Sequence, residues 1–175
     1  MTDPEMKERP ILFTGEMVRA ILDGRKTQTR RVINPQPVKR GAFWELYGAA
    51  WNQDSGQIPC MPGHSLATKN PYGQPGDRLW VRETWGLYDT EPKDGPEEAS
   101  IFYRATDDGY HSLRYQKWRP SIHMPRWASR ITLEITSVHV ERLQDGGDRE
   151  FWGEAKWAEN PWVWVIEFKR IKDGS

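Results

Sequence analysis

The sequence predicts an α+β, β-rich fold, a small mixed barrel of strands with one or two helices and long irregular loops, in a single domain over 1–175. Three observations predict it. Several segments carry the two-residue period of a strand, most plainly Arg130–Leu143, and Trp162–Ile171, where Trp162, Trp164, Ile166 and Phe168 oppose Val163, Val165, Glu167 and Lys169. A helical period is clear in only one segment, just after Thr14. The stretches between are rich in Pro, Gly, Asn and Gln, which interrupt regular structure.

In chain order, Met1 to Arg9 reads as a polar leader, and Pro10-Ile11-Leu12-Phe13 is an apolar run suited to a buried strand. Thr14 offers a hydroxyl as helix N-cap, and Glu16 in the first turn favours the dipole. Met17, Val18, Ile21 and Leu22 share a helical face, and Gly24 stands where a left-handed residue ends a helix. Lys26 to Ile33 follows as a turn entering a strand. Residues 34–76 hold no period and read as a long irregular insertion. Arg78–Trp85 alternates, with Leu79, Val81 and Glu83 on one face and Trp80, Arg82 and Thr84 on the other. Asp89–Ser100 reads as an acidic loop, Ile101–Ala105 as a strand, and Arg119–Arg130, with Pro120 and Pro125, as an extended segment. Within Arg130–Leu143 the apolar phase shifts from Ile131, Leu133 and Ile135 to Val138 and Val140, which a bulge near Ser137 would produce. Residues 144–161 read as a shortened loop before the last strand.

Lys plus Arg and Asp plus Glu each number 25, so no global field draws the chain to a polyanion or a membrane. The charge is segregated all the same. Arg19–Arg40 holds seven basic residues and one acid, Asp23, and Gly109–Arg130 holds five basic residues and no acid. In the second segment Trp118 and Trp127 interleave with Arg119, His123 and Arg126, the pattern in which cations track phosphates and rings stack on bases. The same two tryptophans are also what core lids look like. Cys60 is the only cysteine, which excludes an internal disulfide and a cysteine-based zinc site. With no apolar signal core and no run of membrane-spanning length, the chain reads as a cytoplasmic monomer without metal, cofactor or membrane partner.

The stretch Gly24-Arg25-Lys26-Thr27-Gln28-Thr29-Arg30-Arg31, directly after the amphipathic helix, resembles the Gly-x-Lys-x-x-[Thr/Glu]-x-Arg signature of ASCH domains. The Gly76-Asp77 turn with the apolar strand after it and the closing Val163–Phe168 also look like this family, and Pro10–Thr14, Arg78–Trp85 and Trp118–Trp127 are similar to ASCH proteins carried by bacteriophages and prophages. The resemblance implies a PUA-like pseudo-barrel with a helix beside a cleft, related to RNA-binding modules. Some small members are amidohydrolases that remove the acetyl group from acetylated cytidine with a Lys, a Thr and a Glu. Lys26 and Thr29 match the first two positions. Relatives carry the Glu in a helical insert where this chain has Gln144–Glu150 with a Gly-Gly junction, so Glu83 is the substitute candidate.

Three readings follow. The first is binding of single-stranded nucleic acid or a modified nucleoside, with Arg25, Arg31, Trp118, Arg119, His123, Arg126 and Trp127 as contacts. The second is deacylation of acetylated cytosine nucleosides, with Lys26 as the base that takes the Thr29 hydroxyl proton and Glu83 as acid. The third is a phage-encoded host-interaction protein that uses residues 34–76 as its contact surface.

Overall fold

A computed structural model describes residues 5–87, 101–109 and 117–172. The acidic stretch Asp89–Ser100 and the start of the second basic segment lie outside the described residues. The elements begin with β1 (Glu8–Leu12), α1 (Gly15–Leu22), β2 (Gln28–Val32), β3 (Val38–Arg40), β4 (Phe43–Leu46), β5 (Ala49–Trp51) and β6 (Ile58–Pro59). Next come α2 (Ser65–Lys69), β7 (Arg78–Arg82), β8 (Trp85–Leu87), β9 (Ile101–Tyr103) and β10 (Thr132–Arg142). The chain closes with α3 (Leu143–Gly146), α4 (Arg149–Trp152), α5 (Glu154–Glu159) and β11 (Trp162–Ile171). The fold is mixed α+β and strand-rich.

The sheets are open, which corrects the expected barrel. The main hydrogen-bonded path runs β1-β7-β10-β11-β2, with β6 paired to β10, and has two ends; β3-β4-β5 and β8-β9 are separate sheets. Pro10 in β1 has no N–H to give a further neighbour, so this strand suits a sheet edge. The chain divides into two compact units: Met1–Thr27, Arg78–Glu134 and Lys169–Ser175 form the first, Gln28–Asp77 and Ile135–Phe168 the second.

In the first unit α1 forms as its sequence dictates. The Thr14 hydroxyl accepts from Met17 N at 3.4 Å, Val18 and Ile21 are buried, and Gly24 takes φ +76°, where any Cβ would be strained. β1 runs parallel to β7, and β7 antiparallel to the start of β10, burying Ile11, Leu79, Val81 and Leu133. The strand expected over Arg78–Trp85 ends at Arg82, and Glu83 follows buried on the face of Leu79 and Val81. β8 then pairs antiparallel with β9, and a 3-10 turn replaces the end of the strand expected to reach Ala105. The segment expected to be extended instead holds 3-10 turns at Ser121–His123 and Arg126–Ala128. Pro120 and Pro125 fix φ at their starts.

In the second unit β2 runs antiparallel to β11. Trp162, Val163, Trp164, Val165 and Ile166 are all buried, so both faces of β11 are covered. Residues 144–161, expected as a bare loop, supply one of the covers. Trp152 and Trp157, from α4 and α5, pack on the cluster of Leu143, Val163 and Val165. Asp148 caps α4 through Glu150 N and Phe151 N at 2.9 and 3.2 Å, and Asn160 ends α5 in a left-handed conformation. Helices of four to six residues are too short to print a period on the sequence. Residues 34–76, expected to be irregular, hold the β3-β4-β5 meander, β6 and α2. Gly41 and Gly48 make its turns at φ +60° and +85°. Within β10, burial passes from Leu133 and Ile135 to Val138 and Val140, the change of phase read near Ser137.

Candidate functional site

The division between the units falls inside the Gly24–Arg31 motif, so Arg25 and Lys26 belong to the first unit and Thr29 and Arg31 to the second.

In the first unit, period two puts Trp80 and Arg82 on one face of β7. The Arg82 guanidinium stands 4.8 Å from the Trp80 ring centroid, and Arg126, at the start of its 3-10 turn, stands 5.9 Å from the same ring. Arg82 Nε also donates to the carbonyl of Met124 at 3.1 Å; Met124 is fully buried and pins the Pro120–Ala128 segment in place. Arg126 Nε donates to Glu8 Oε2 at 3.2 Å, with both side chains partly exposed. Arg119 is fixed by a backbone bridge to Trp85 and stands 5.2 Å over its ring. Trp127 meets Trp85 edge-on at 5.9 Å and is 38% exposed. Trp118 packs edge-on against Phe102, with Arg104 over it at 5.8 Å. His123 is exposed.

Lys26 Nζ stands 5.9 Å over the Phe13 ring, and the Phe13 N–H donates to the Arg82 carbonyl at 3.1 Å. Arg25 points to solvent and pairs with Asp23 at 3.0 Å. The structure thus brings Arg119, Arg126, Trp127 and the exposed His123 into one basic and aromatic segment. It adds Trp80 and Arg82, whose shared face was visible in the alternation of β7 although their partner Arg126 was not. The Trp80 ring is itself buried, at 8% exposure, and a guanidinium over such a ring contributes about 0.5–2 kcal/mol.

Glu83 has a different setting. It is 1% exposed, and Arg130 grips both of its oxygens, Nε to Oε2 at 3.0 Å and Nη2 to Oε1 at 2.9 Å. The same guanidinium lies 4.1 Å over Tyr103 and donates to the Thr106 hydroxyl at 3.1 Å. The Tyr103 hydroxyl donates to the Ala128 carbonyl at 2.8 Å. Burial pushes the Tyr103 phenol pKa up; Arg130 opposes that shift and Glu83 adds to it. Both Glu83 oxygens are engaged in an internal bidentate pair.

In the second unit Thr29 and Arg31 share the face of β2 that lies beside Ile166 and Trp164 of β11. Thr29 is 3% exposed, and its hydroxyl accepts from Arg31 Nε at 3.3 Å. Burial lowers the Arg31 pKa, with Tyr72 opposing, and burial raises the Tyr72 phenol, with Arg31 opposing. On the other face of β2, Arg30 donates through Nε and Nη2 to Glu141 Oε1 at 3.1 and 2.9 Å. The other oxygen of Glu141 lies 3.4 Å from His139 Nε2. A Cβ on Gly146 would fall 2.5 Å from Arg30 Nη2 and 2.9 Å from Glu141 Oε1, so only glycine lets the chain pass there unshifted. Sequence reading missed this cluster and Tyr72, since nothing periodic connects them.

Among the described residues no group of three or more His, Cys, Asp or Glu side chains is placed to hold a metal ion. No described helix is long and apolar enough to cross a membrane. No family model, curated protein or solved structure matches the chain.

Proposed function

We propose that the chain is an ASCH-type, PUA-like domain whose first unit binds single-stranded nucleic acid. The observation that carries this reading is the pair of guanidinium groups, Arg82 and Arg126, over the single ring of Trp80. Half-exposed Trp127 and exposed His123 flank Arg126 in the chain. Guanidinium N–H groups bind phosphate oxygens, and exposed rings and guanidinium planes stack on bases, each stacked base contributing about 1–3 kcal/mol. Glu8 competes with phosphate for Arg126, so the affinity from this residue depends on displacing an exposed carboxylate. Labelled single-stranded RNA and DNA titrated at two salt concentrations test the reading. The expected outcome is an affinity that falls as salt rises. Absence of salt-sensitive binding to either polymer rejects it.

A second reading, hydrolysis of acetylated cytidine, is favoured by one observation: the hydroxyl of Thr29, at the motif position, is buried and held by a guanidinium. Release of cytidine that stops in Thr29→Ala and in Lys26→Ala supports it. No release, or full activity in both variants, removes it.

A further inference from the structure

The second unit contains a pocket of about 270 Å³ that none of the candidate site residues described above lines. We propose that this pocket takes one neutral, flat heteroaromatic ring of nucleobase size.

The pocket is built within residues 49–66, inside the segment whose sequence looked irregular. β5 and β6 and the start of α2 form its walls. Trp51, Ile58 and Leu66 are at most 6% exposed and give it a fixed apolar base. Trp51 is held from behind by an edge-on contact with Trp162 at 5.3 Å. Met61, 53% exposed, adds a thioether wall, which is polarizable, adapts its shape and makes favourable contacts with ring edges.

Two further lining residues, Gln53 and His64, carry the polar chemistry. Both are exposed, and neither side chain makes a hydrogen bond among the described residues. An amide offers a donor and an acceptor together, and a neutral imidazole offers one of each. A ring that satisfies both presents donors and acceptors on its edge. A plain hydrocarbon ring leaves them unmatched.

Charge and size narrow the ligand further. No Lys, Arg, Asp or Glu lines the pocket, so a phosphate or carboxylate would lose water without gaining an ionic partner. The volume lies just below the range of about 300–1,000 Å³ usual for drug-sized ligands, which leaves room for one ring system rather than an extended molecule. The neutral pocket therefore differs in kind from the basic surface of the first unit, and the proposal does not depend on that surface binding nucleic acid.

The test is calorimetric titration of the intact chain with the four uncharged ribonucleosides, at low and high salt, beside a single-stranded oligonucleotide. At least one nucleoside binds, with the same affinity at both salts. Gln53→Ala weakens it about fivefold or more, the scale of one neutral hydrogen bond. Ala50→Leu, at an exposed lining position of β5, fills the space and abolishes nucleoside binding while the circular dichroism stays unchanged. Both variants keep the wild-type oligonucleotide affinity, whatever its size. The proposal is overturned by no nucleoside binding at millimolar concentration, by binding that weakens with salt, or by wild-type nucleoside affinity in both variants. A failure of oligonucleotide binding alone rejects the function proposed for the first unit and leaves the pocket standing.

Discussion

Arg126 and Arg130 belong to the same short stretch of the first unit, and each is paired to a glutamate, but the two pairs do different work. Glu83 is 1% exposed and locked on both oxygens by Arg130; Glu8 is 35% exposed and holds Arg126 at the surface. Two charges taken out of water are tolerated only while each satisfies the other, so the buried pair fixes the structure around it. An exposed pair contributes about 0–1 kcal/mol, is screened by salt and exchanges readily for another anion. The second unit repeats the buried arrangement with Arg30 and Glu141. The comparison teaches that the position of the carboxylate decides whether an arginine here is a brace or a contact.

The largest effect expected is from Glu83→Ala, which takes the carboxylate from Arg130, a side chain 24% exposed that keeps only its bond to Thr106 and its place over Tyr103. Urea unfolding should show a loss of about 2–4 kcal/mol. A loss under about 1 kcal/mol would mean that the pair is a surface pair in its energetics. Next comes Gly146→Ala, whose methyl group intrudes on the Arg30–Glu141 pair; overpacking there should lower stability by about 1–3 kcal/mol, read from the same denaturation midpoint. Arg126→Ala should sit on the other side of the comparison. Its stability stays within about 0.5 kcal/mol of wild type, while the slope of log affinity against log salt for an oligonucleotide drops by about one. The smallest effect is expected from Glu8→Gln. With its competitor neutralised, Arg126 binds phosphate more readily, and oligonucleotide affinity rises a few-fold at low salt and converges with wild type at high salt.

What could be read from the sequence was whatever is local. α1 announces itself because Thr14, Val18, Ile21 and Gly24 fall at the offsets that one helix needs, all within a dozen residues. β11 does so because five apolar β-formers in a row, Trp162 to Ile166, run into the alternation Glu167-Phe168-Lys169. β3 and β5 escape because three residues cannot display a period of two, and β6 is shorter still. The interleaving of Trp118, Arg119, Arg126 and Trp127 was visible as composition, but the ring that collects two of the cations, Trp80, belongs to another strand. Arg130 and Glu83 are 47 residues apart, and Arg30 and Glu141 are 111 apart. Neither spacing carries a signal, since side chains brought together by the fold share no sequence rule. Glu83 looked like a spare acid because its alternation showed which face it was on and nothing showed what waited there.

β10 and β11 each contribute residues to both units, the division falling between Glu134 and Ile135 in one and between Phe168 and Lys169 in the other. Lys169 returns to the first unit through an ion pair with Glu134 at 2.8 Å. Neither unit is therefore a continuous stretch of polypeptide, and the ribosome delivers the last piece of the first only after all of the second. Assembly by finishing one half before starting the other is closed to this chain. The first half is complete only once the final strand has emerged, and no single cut yields a fragment that contains it whole.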